Sequence, residues 1–358
     1  MYSFDQIQSL QLEISTYCNA SCPQCPRNFF GGKTIPDLPL KKWTLNDFKN
    51  IFTIDFLKQL KQIYLCGTYG DPMTNTKVVD ICKFLKNNNP SVEIGLHTNG
   101  GIGSTETYQQ LGPIVKFIAF GIDGLDDTNH LYRKHTKWKK IMQNAEIFIS
   151  SGGYAIWDFI VFEHNQHQVE QARQLSKNMG FKEFNVKKTS RFINRSHQFN
   201  KSLDVLDHKG FIEYQISIPT VPEYVNNGYQ KIIDYSKSEF KEYLSSCKIS
   251  CNSKKIKEIY IGADGFVFPC GWLHDRLYGP EIGTHTDHIM IKKLMTDAGG
   301  WANTNVFYTP LEKIIKDNWF NILEKSWTSG QRLERCAMMC GENINVIGPQ
   351  NADINYKL

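Results

Sequence analysis

The chain has no apolar run of membrane-spanning length, and no run of five or six like charges. The first absence excludes a helical membrane span. The second, with a formal charge of only +5 over 358 residues, removes the basic stripe that nucleic acid would require. Short clusters such as Lys137 to Lys140 read as the solvated face of a helix. Neither a membrane nor a nucleic acid is therefore expected as a partner. There is no internal repeat and no low-complexity tract, which excludes solenoids and linker-like chains. The opening MYSFDQIQSLQLEIS lacks a basic n-region and an apolar h-region. No signal peptide is expected, and the expected compartment is the cytoplasm.

Apolar residues make up 41% and aromatics 13%, enough for a sizeable core and, at this length, one large domain with a smaller companion. The chain also has 10 cysteines. In a reducing compartment they argue for metal binding rather than disulfides. They cluster as Cys18, Cys22 and Cys25, then Cys247, Cys251 and Cys270, then Cys336 and Cys340. Cys66 and Cys82 stand alone, and Cys82 reads as a packed thiol on a helix.

Short apolar runs alternate with amphipathic ones through the first half. LQLEIS, QIYLCG, VEIGLHTNG, KFIAFGIDG, AIWDFIVF and KEFNVKK read as six strands, with helices between them. Near-continuous apolar strands separated by helices imply βαβ units and a parallel sheet. Six such units fall short of a closed eight-stranded barrel, so the expected fold is α/β, a (β/α)6 partial TIM barrel. Ligands of such sheets sit at the C-terminal strand ends. The polar signals fall there: the cysteine triple, GTYGDP, HTNG, IDG, FEHN and KKTSR. Residues 201–246 read as a bridging segment. EIYIGADGFVFPC then reads as a hairpin turning at Asp264-Gly265 and ending on Cys270.

The triple CNASCPQC has three soft ligands where a closed zinc site wants four, and no histidine lies nearer in sequence than His97. Three thiolates on an iron–sulfur cluster would leave one iron open. That three-then-two spacing, placed after a first strand, resembles the radical SAM superfamily. YGDP (Tyr69, Gly70, Asp71, Pro72) resembles its Gly-Gly-Glu-Pro segment, whose backbone receives the amino group of S-adenosylmethionine. HTNG and IDGLDDTNHLYR resemble its third and fourth strand ends. The sequence departs from the superfamily pattern at Asp71, where Glu is usual, and at Gln24, where an aromatic residue usually packs near the adenine.

The resemblance implies a [4Fe–4S] cluster on Cys18, Cys22 and Cys25, which are thereby the catalytic cysteines. It implies S-adenosylmethionine bound through Gln24, Gly70, Asp71, Pro72, Thr98, Asn99, Asp123 and Arg191. The reduced cluster would cleave S-adenosylmethionine to a 5′-deoxyadenosyl radical that takes hydrogen from a peptide or small-molecule substrate. A flavodoxin- or ferredoxin-type protein would supply the electron. The later cysteines resemble the SPASM/twitch extension in its one-cluster form. They imply an auxiliary [4Fe–4S] cluster for electron transfer or substrate binding, on Cys251, Cys270, Cys336 and Cys340. Cys247 competes as a fifth thiol. Trp272, His274 and Trp301 would cover that cluster. The tail DINYKL lacks the terminal Gly-Gly of the molybdopterin-precursor cyclase, which disfavours that activity.

The expected organisation is thus a radical SAM partial barrel over residues 1–200, the bridge over 201–246 and a twitch-type auxiliary cluster domain over 247–358. Asp158 interrupts an apolar strand. It either lines the barrel and holds substrate or faces a helix end or solvent. His164, with His167 and Asn165, is a second substrate candidate at the end of the fifth strand. Lys187, Lys188 and Arg191 end the sixth, and Arg191 has the planar fork that suits a carboxylate. His130 and Arg133 read as support around the cofactor. The alternative from another class is a non-catalytic, zinc-stabilised binding module.

Overall fold

The computed structural model describes residues 1–192, 199–226, 228, 237–278 and 286–342. The tail DINYKL lies outside them. All six expected strands are present: β1 (Ser9–Leu12), β2 (Gln62–Leu65), β3 (Glu93–Thr98), β4 (Phe117–Gly121), β5 (Ala155–Val161) and β6 (Glu183–Lys188). They lie side by side in chain order, each parallel to the next. The expected mixed α/β fold with its parallel, partial-barrel sheet is what forms.

Residue alternation assigns each strand two faces. Ala155, Trp157, Phe159 and Val161 of β5 belong to the main core, between sheet and helices. Ile156 instead joins Tyr64, Cys66, Phe117 and Ala119 in a separate cluster on the inner face. The helices Val78–Asn88, Trp138–Ser150 and Val169–Met179 place Ile81, Leu85, Ile141, Phe148 and Ala172 against the outer face. The last of these helices stops at Gly180, whose φ of +89° closes a left-handed cap. Cys82 is fully buried in the main core, as its helical position implied.

The bridging segment contains an element that sequence reading missed. β7 (Ser202–Leu206) and β8 (Ile212–Ser217) form an antiparallel hairpin. Val205 and Ile216 pack with Ala20, Cys22, Tyr132, Phe162 and Phe192, so the hairpin lies over the first cysteine loop. Lys134 fastens it, donating to the Leu206 carbonyl at 2.8 Å and pairing with Glu213 at 2.7 Å.

The expected hairpin near Gly265 also forms, from β9 (Glu258–Ile261) and β10 (Val267–Phe268). β9 pairs in parallel with β1, Ser9 opposite Glu258 and Leu12 opposite Ile261. The main sheet therefore has eight strands, in the order β10-β9-β1-β2-β3-β4-β5-β6. Ile291, Leu294, Ile314, Trp319, Phe320 and Leu323, from helices after residue 286, share the main core with β1 and β2. The Trp319 indole donates to the Val267 carbonyl at 2.7 Å. Among the described residues no helix is long and apolar enough to cross a membrane.

Candidate active site

The first cysteine loop follows β1 at the C-terminal end of the sheet, as the strand order requires. Cys22 is 8% exposed, and Cys18 and Cys25 are half-buried. The Cys22 carbonyl accepts from the Cys25 N–H at 3.0 Å and from Asn28 Nδ2 at 3.2 Å. Donors also face the sulfurs: Asn99 Nδ2 lies 3.6 Å from Cys18 Sγ, and Arg133 Nη1 3.7 Å from Cys22 Sγ. Burial raises all three thiol pKa values. Cys22 is pushed up to about 11 by burial, with Arg133 acting against the rise. The thiolates thus need a cationic partner, which a cluster iron would be.

The GTYGDP turn packs directly on this loop. A Cβ on Gly70 would collide with the Ser15 carbonyl, and the Asp71 N–H donates to the Tyr17 carbonyl at 2.8 Å. Asp71 is 4% exposed. Its carboxylate accepts from Thr98 Oγ1 at 2.9 Å, Asn99 N at 2.8 Å, Asn99 Nδ2 at 2.7 Å and Met73 N at 2.9 Å. Burial still raises its pKa. Pro72 opens the short helix that Asp71 caps. Asp71, Thr98 and Asn99 therefore lock the ends of β2 and β3 to one another and to Cys18. The Asp123 carboxylate is fully buried, paired with Arg133 Nε at 2.6 Å and accepting from Ile160 N at 2.6 Å. Its role here is to hold Arg133 against Cys22. The sequence placed Arg133 near the cofactor; only the fold shows it reaching a cysteine.

Gln24 is tied to the end of β6. Its Oε1 accepts from Thr189 Oγ1 at 3.0 Å, and its carbonyl accepts from Arg191 Nη1 at 2.8 Å. Arg191 also lies 5.6 Å over the Trp272 ring, whose centroid is 5.1 Å from the Arg335 guanidinium. Trp272 thus stands between the first cysteine loop and the later cysteines.

Of the later cysteines, Cys251 lies within hydrogen-bond reach of Cys340, and Cys270, Cys336 and Cys340 lie within electrostatic reach of one another. The Cys340 carbonyl accepts from Ser250 N at 2.8 Å, joining the two ends. Cys247 lies in a different cluster with Phe240, Leu244, Ala337 and Met338, 3.8 Å from Arg332 Nη1. Of the three residues expected to cover this group, Trp301 is 53% exposed and meets Tyr308 edge to face. His274 is buried in a separate network.

Among the described residues, no three His, Cys, Asp or Glu side chains gather as a site for one metal ion. Mononuclear zinc needs such convergence. A cubane instead spreads its thiolates over separate irons.

Asp158 faces the inner side of the sheet, not a helix. Its carboxylate accepts from Asn185 Nδ2 at 3.0 Å, and Lys187 Nζ and His97 Nε2 lie 3.4 and 3.9 Å away. His97 carries no signal in the sequence beyond its place at a strand end. Lys188 ends β6 beside Lys187.

Residues 12–176 match the family model described as the Radical SAM superfamily. That match spans just under half of the chain. The match implies an enzyme that would use a [4Fe–4S] cluster and S-adenosylmethionine. No curated protein sequence matches the chain. Among solved structures the fold is similar to Streptococcus suis SuiB bound to precursor peptide SuiA, at 13% identity and a TM-score of 0.54. That match covers 91% of this chain and 66% of SuiB, so the chain spans just under two thirds of that protein. The fold is also similar to anSMEcpe with bound AdoMet. One such structure gives 14% identity, a TM-score of 0.53, and coverage of 90% of this chain and 81% of that one. Another gives 15% identity, a TM-score of 0.51 and coverage of 95% and 93%.

His164 stacks on Phe162 at 5.4 Å, with its buried Nε2 lacking a hydrogen-bond partner. Asn165 and His167 frame it: Asn165 is a cap, donating to the Asp123 and Ile160 carbonyls at 2.9 Å. Burial lowers the His164 pKa to about 4, with His130 and His167 adding repulsion. A histidine whose folded pKa is depressed contributes stability that is present above its unfolded pKa of about 6.5 and lost as pH falls toward the folded value. The protein is expected to lose stability between pH 6.5 and 4, and His164→Phe to flatten that part of the profile. Urea midpoints across the range measure it; an unchanged slope would exclude His164 as the source.

Proposed function

We propose that the chain reductively cleaves S-adenosylmethionine on a [4Fe–4S] cluster held by Cys18, Cys22 and Cys25, and removes hydrogen from a peptide substrate. Residues 1–200 form the radical SAM barrel in this reading, with 201–246 as its bridge and cover. Residues 247–358 form a twitch-type extension carrying an auxiliary [4Fe–4S] cluster on Cys251, Cys270, Cys336 and Cys340. The observation that carries it is the cysteine triple after β1, in a loop packed directly against the GTYGDP turn and inside the residues that match the radical SAM model. The zinc-stabilised module is the weaker reading for that reason.

When bound, the first cluster and S-adenosylmethionine supply a 5′-deoxyadenosyl radical as the hydrogen-atom acceptor. The chain's own residues shape where that happens. Gly70, Asp71 and Pro72 present the turn that receives the methionine end, and Asp71 is held rigid by Thr98 and Asn99. Arg133, positioned by Asp123, neutralises the thiolate of Cys22. Gln24 and Arg191 fix the loop to β6. The β7–β8 hairpin and the apolar cluster beneath it keep bulk water from the cysteines. A flavodoxin- or ferredoxin-type donor delivers the electron, and the enzyme works in the cytoplasm as an oxidoreductase.

Two features support a peptide. SuiB, similar in fold, is solved with its precursor peptide, and the inner face here offers both signs of charge. Asp158, with His97 and Lys187, is positioned to orient substrate from the sheet's inner face, and His164 borders that region. Asp158→Asn should leave substrate-independent cleavage of S-adenosylmethionine within about twofold while lowering substrate turnover by about 10–100-fold, the scale of a lost positioning contact. Product analysis by mass spectrometry reads it, and equal loss of both would place Asp158 outside the substrate site.

The deciding experiment is anaerobic reconstitution with iron and sulfide assay. Two cubanes give about eight irons per chain, and dithionite reduction should yield 5′-deoxyadenosine. Protein loaded with zinc and without iron would overturn the reading. Turnover of small molecules but no peptide would overturn the substrate class.

A further inference from the structure

Four titratable side chains form a buried chain that no step above uses. Glu13, just past β1, is fully buried. Its Oε1 accepts from the Thr68 N–H, from the Tyr69 N–H at 3.2 Å and from the Tyr260 hydroxyl. Tyr260 Oη stands 3.0 Å from His274 Nδ1. His274 Nε2 stands 2.9 and 3.0 Å from the two carboxylate oxygens of Asp264. The Tyr69 hydroxyl closes the circuit, donating to the His274 carbonyl at 2.9 Å. Glu13 Oε2 is buried with no hydrogen-bond partner.

The two ends of this chain belong to distant parts of the sequence. Glu13, Thr68 and Tyr69 lie at the turn that opens into Gly70 and Asp71. Tyr260, Asp264 and His274 lie on the β9–β10 hairpin and the helical turn after it, and His274 is fully buried. Gly262 leaves no space: a Cβ there would collide with Asp264 and His274. Burial raises the Glu13 pKa. It would lower that of His274, but Asp264 outweighs it and the net shift is upward. Two buried carboxylates are a costly way to hold a sheet together, since apolar residues of similar volume do so at least as well. The return is geometric: one carboxylate oxygen fixes two successive N–H groups of the turn and is itself aimed by a tyrosine from the other end of the chain.

We infer that Glu13, Tyr260, His274 and Asp264 are positioning residues that set the Thr68–Tyr69 turn for S-adenosylmethionine, coupling its binding to the C-terminal hairpin. This rests on the proposed function. Coupling is reciprocal: the hairpin shapes the cofactor turn, and the bound cofactor stiffens the hairpin. Residues far from the cofactor in sequence thereby govern its affinity without touching it.

The test uses the anaerobically reconstituted full chain. Tyr260→Phe removes one hydroxyl and keeps the ring. It should weaken S-adenosylmethionine binding by about tenfold, within the usual range of coupling between sites, with iron content unchanged. A second measurement needs no substitution: S-adenosylmethionine should slow amide hydrogen exchange of residues 258–268 in the wild type, and less so in Tyr260→Phe. A merely structural role would lower the melting temperature of Tyr260→Phe and leave affinity and exchange response alone. That outcome, or a wild type that binds S-adenosylmethionine with no change in hairpin exchange, overturns the coupling. A wild type that carries both clusters and binds no S-adenosylmethionine overturns the proposed function instead.

Discussion

Cys22→Ala is expected to reduce 5′-deoxyadenosine formation to the level seen without reductant, while about four irons per chain remain on the C-terminal cysteines. Cys22 is the most deeply set of the three thiols, with its carbonyl held from two sides. Around it pack Ala20, Tyr132, Phe162, Val205 and Ile216. No oxygen or nitrogen ligand from solvent can replace the missing sulfur beneath that cover, and the two remaining thiolates cannot hold the cubane. Arg133 would also lose the sulfur that its guanidinium faces, keeping the Asp123 carboxylate as its ion-pair partner. The control is Cys82→Ala, which removes a thiol of the main core far from both groups. It should keep all eight or so irons and full cleavage, and cost about 1 kcal/mol of stability for the small void. Iron and sulfide assay with chromatography of the nucleoside products separates the two. Equal cleavage by Cys22→Ala and wild type would remove Cys22 from the cluster.

Gly70→Ala should abolish tight S-adenosylmethionine binding and cost about 1–3 kcal/mol of stability, the scale of overpacking a rigid site. The added methyl would run into the carbonyl of Ser15 and the Cα of Thr16. Neither side can yield cheaply. The turn is tied down on one flank by Asp71 N to Tyr17 O and on the other by the four donors around the Asp71 carboxylate. Separating the cysteine loop from the turn would move both halves of the cofactor site at once. Gly330→Ala is the matched control, because a Cβ there meets nothing within 4 Å. Urea midpoints and equilibrium dialysis of S-adenosylmethionine measure the two consequences. A Gly70→Ala protein with native affinity would show that the turn does not receive the cofactor.

Much of this protein was legible from its amino-acid order. The six inner strands announced themselves as short apolar runs between helices, because a sheet covered on its outer face and lined within leaves few positions for polar side chains. The cysteine triple was legible because thiolate chemistry is carried by residue type and close spacing, both of which are linear properties. The side on which Asp158 points was not. An apolar strand with one carboxylate has two faces, and only the packing of Trp157 and Phe159 into the outer core turns Asp158 inward. The β7–β8 hairpin was missed because its strands are short and partly exposed, with exposed Phe211 and Ile212 at its turn, so neither run stands out from a polar bridge. Five later thiols competed for four places. Spacing along the chain could not rank Cys247 against the rest; the fold puts its sulfur 3.8 Å from Arg332 Nη1.

By itself the amino-acid order determined the parallel α/β class, the open-sided cysteine triple and the polar strand ends where a cofactor would lie. Those depend on periodicity and on chemistry within a few residues. The tertiary structure alone decided that β9 docks beside β1, that Arg133 reaches Cys22, and that Glu13 meets Tyr260 and His274. Each joins segments 100 to 250 or so residues apart, and such meetings follow from three-dimensional packing and strand register, which no local pattern encodes.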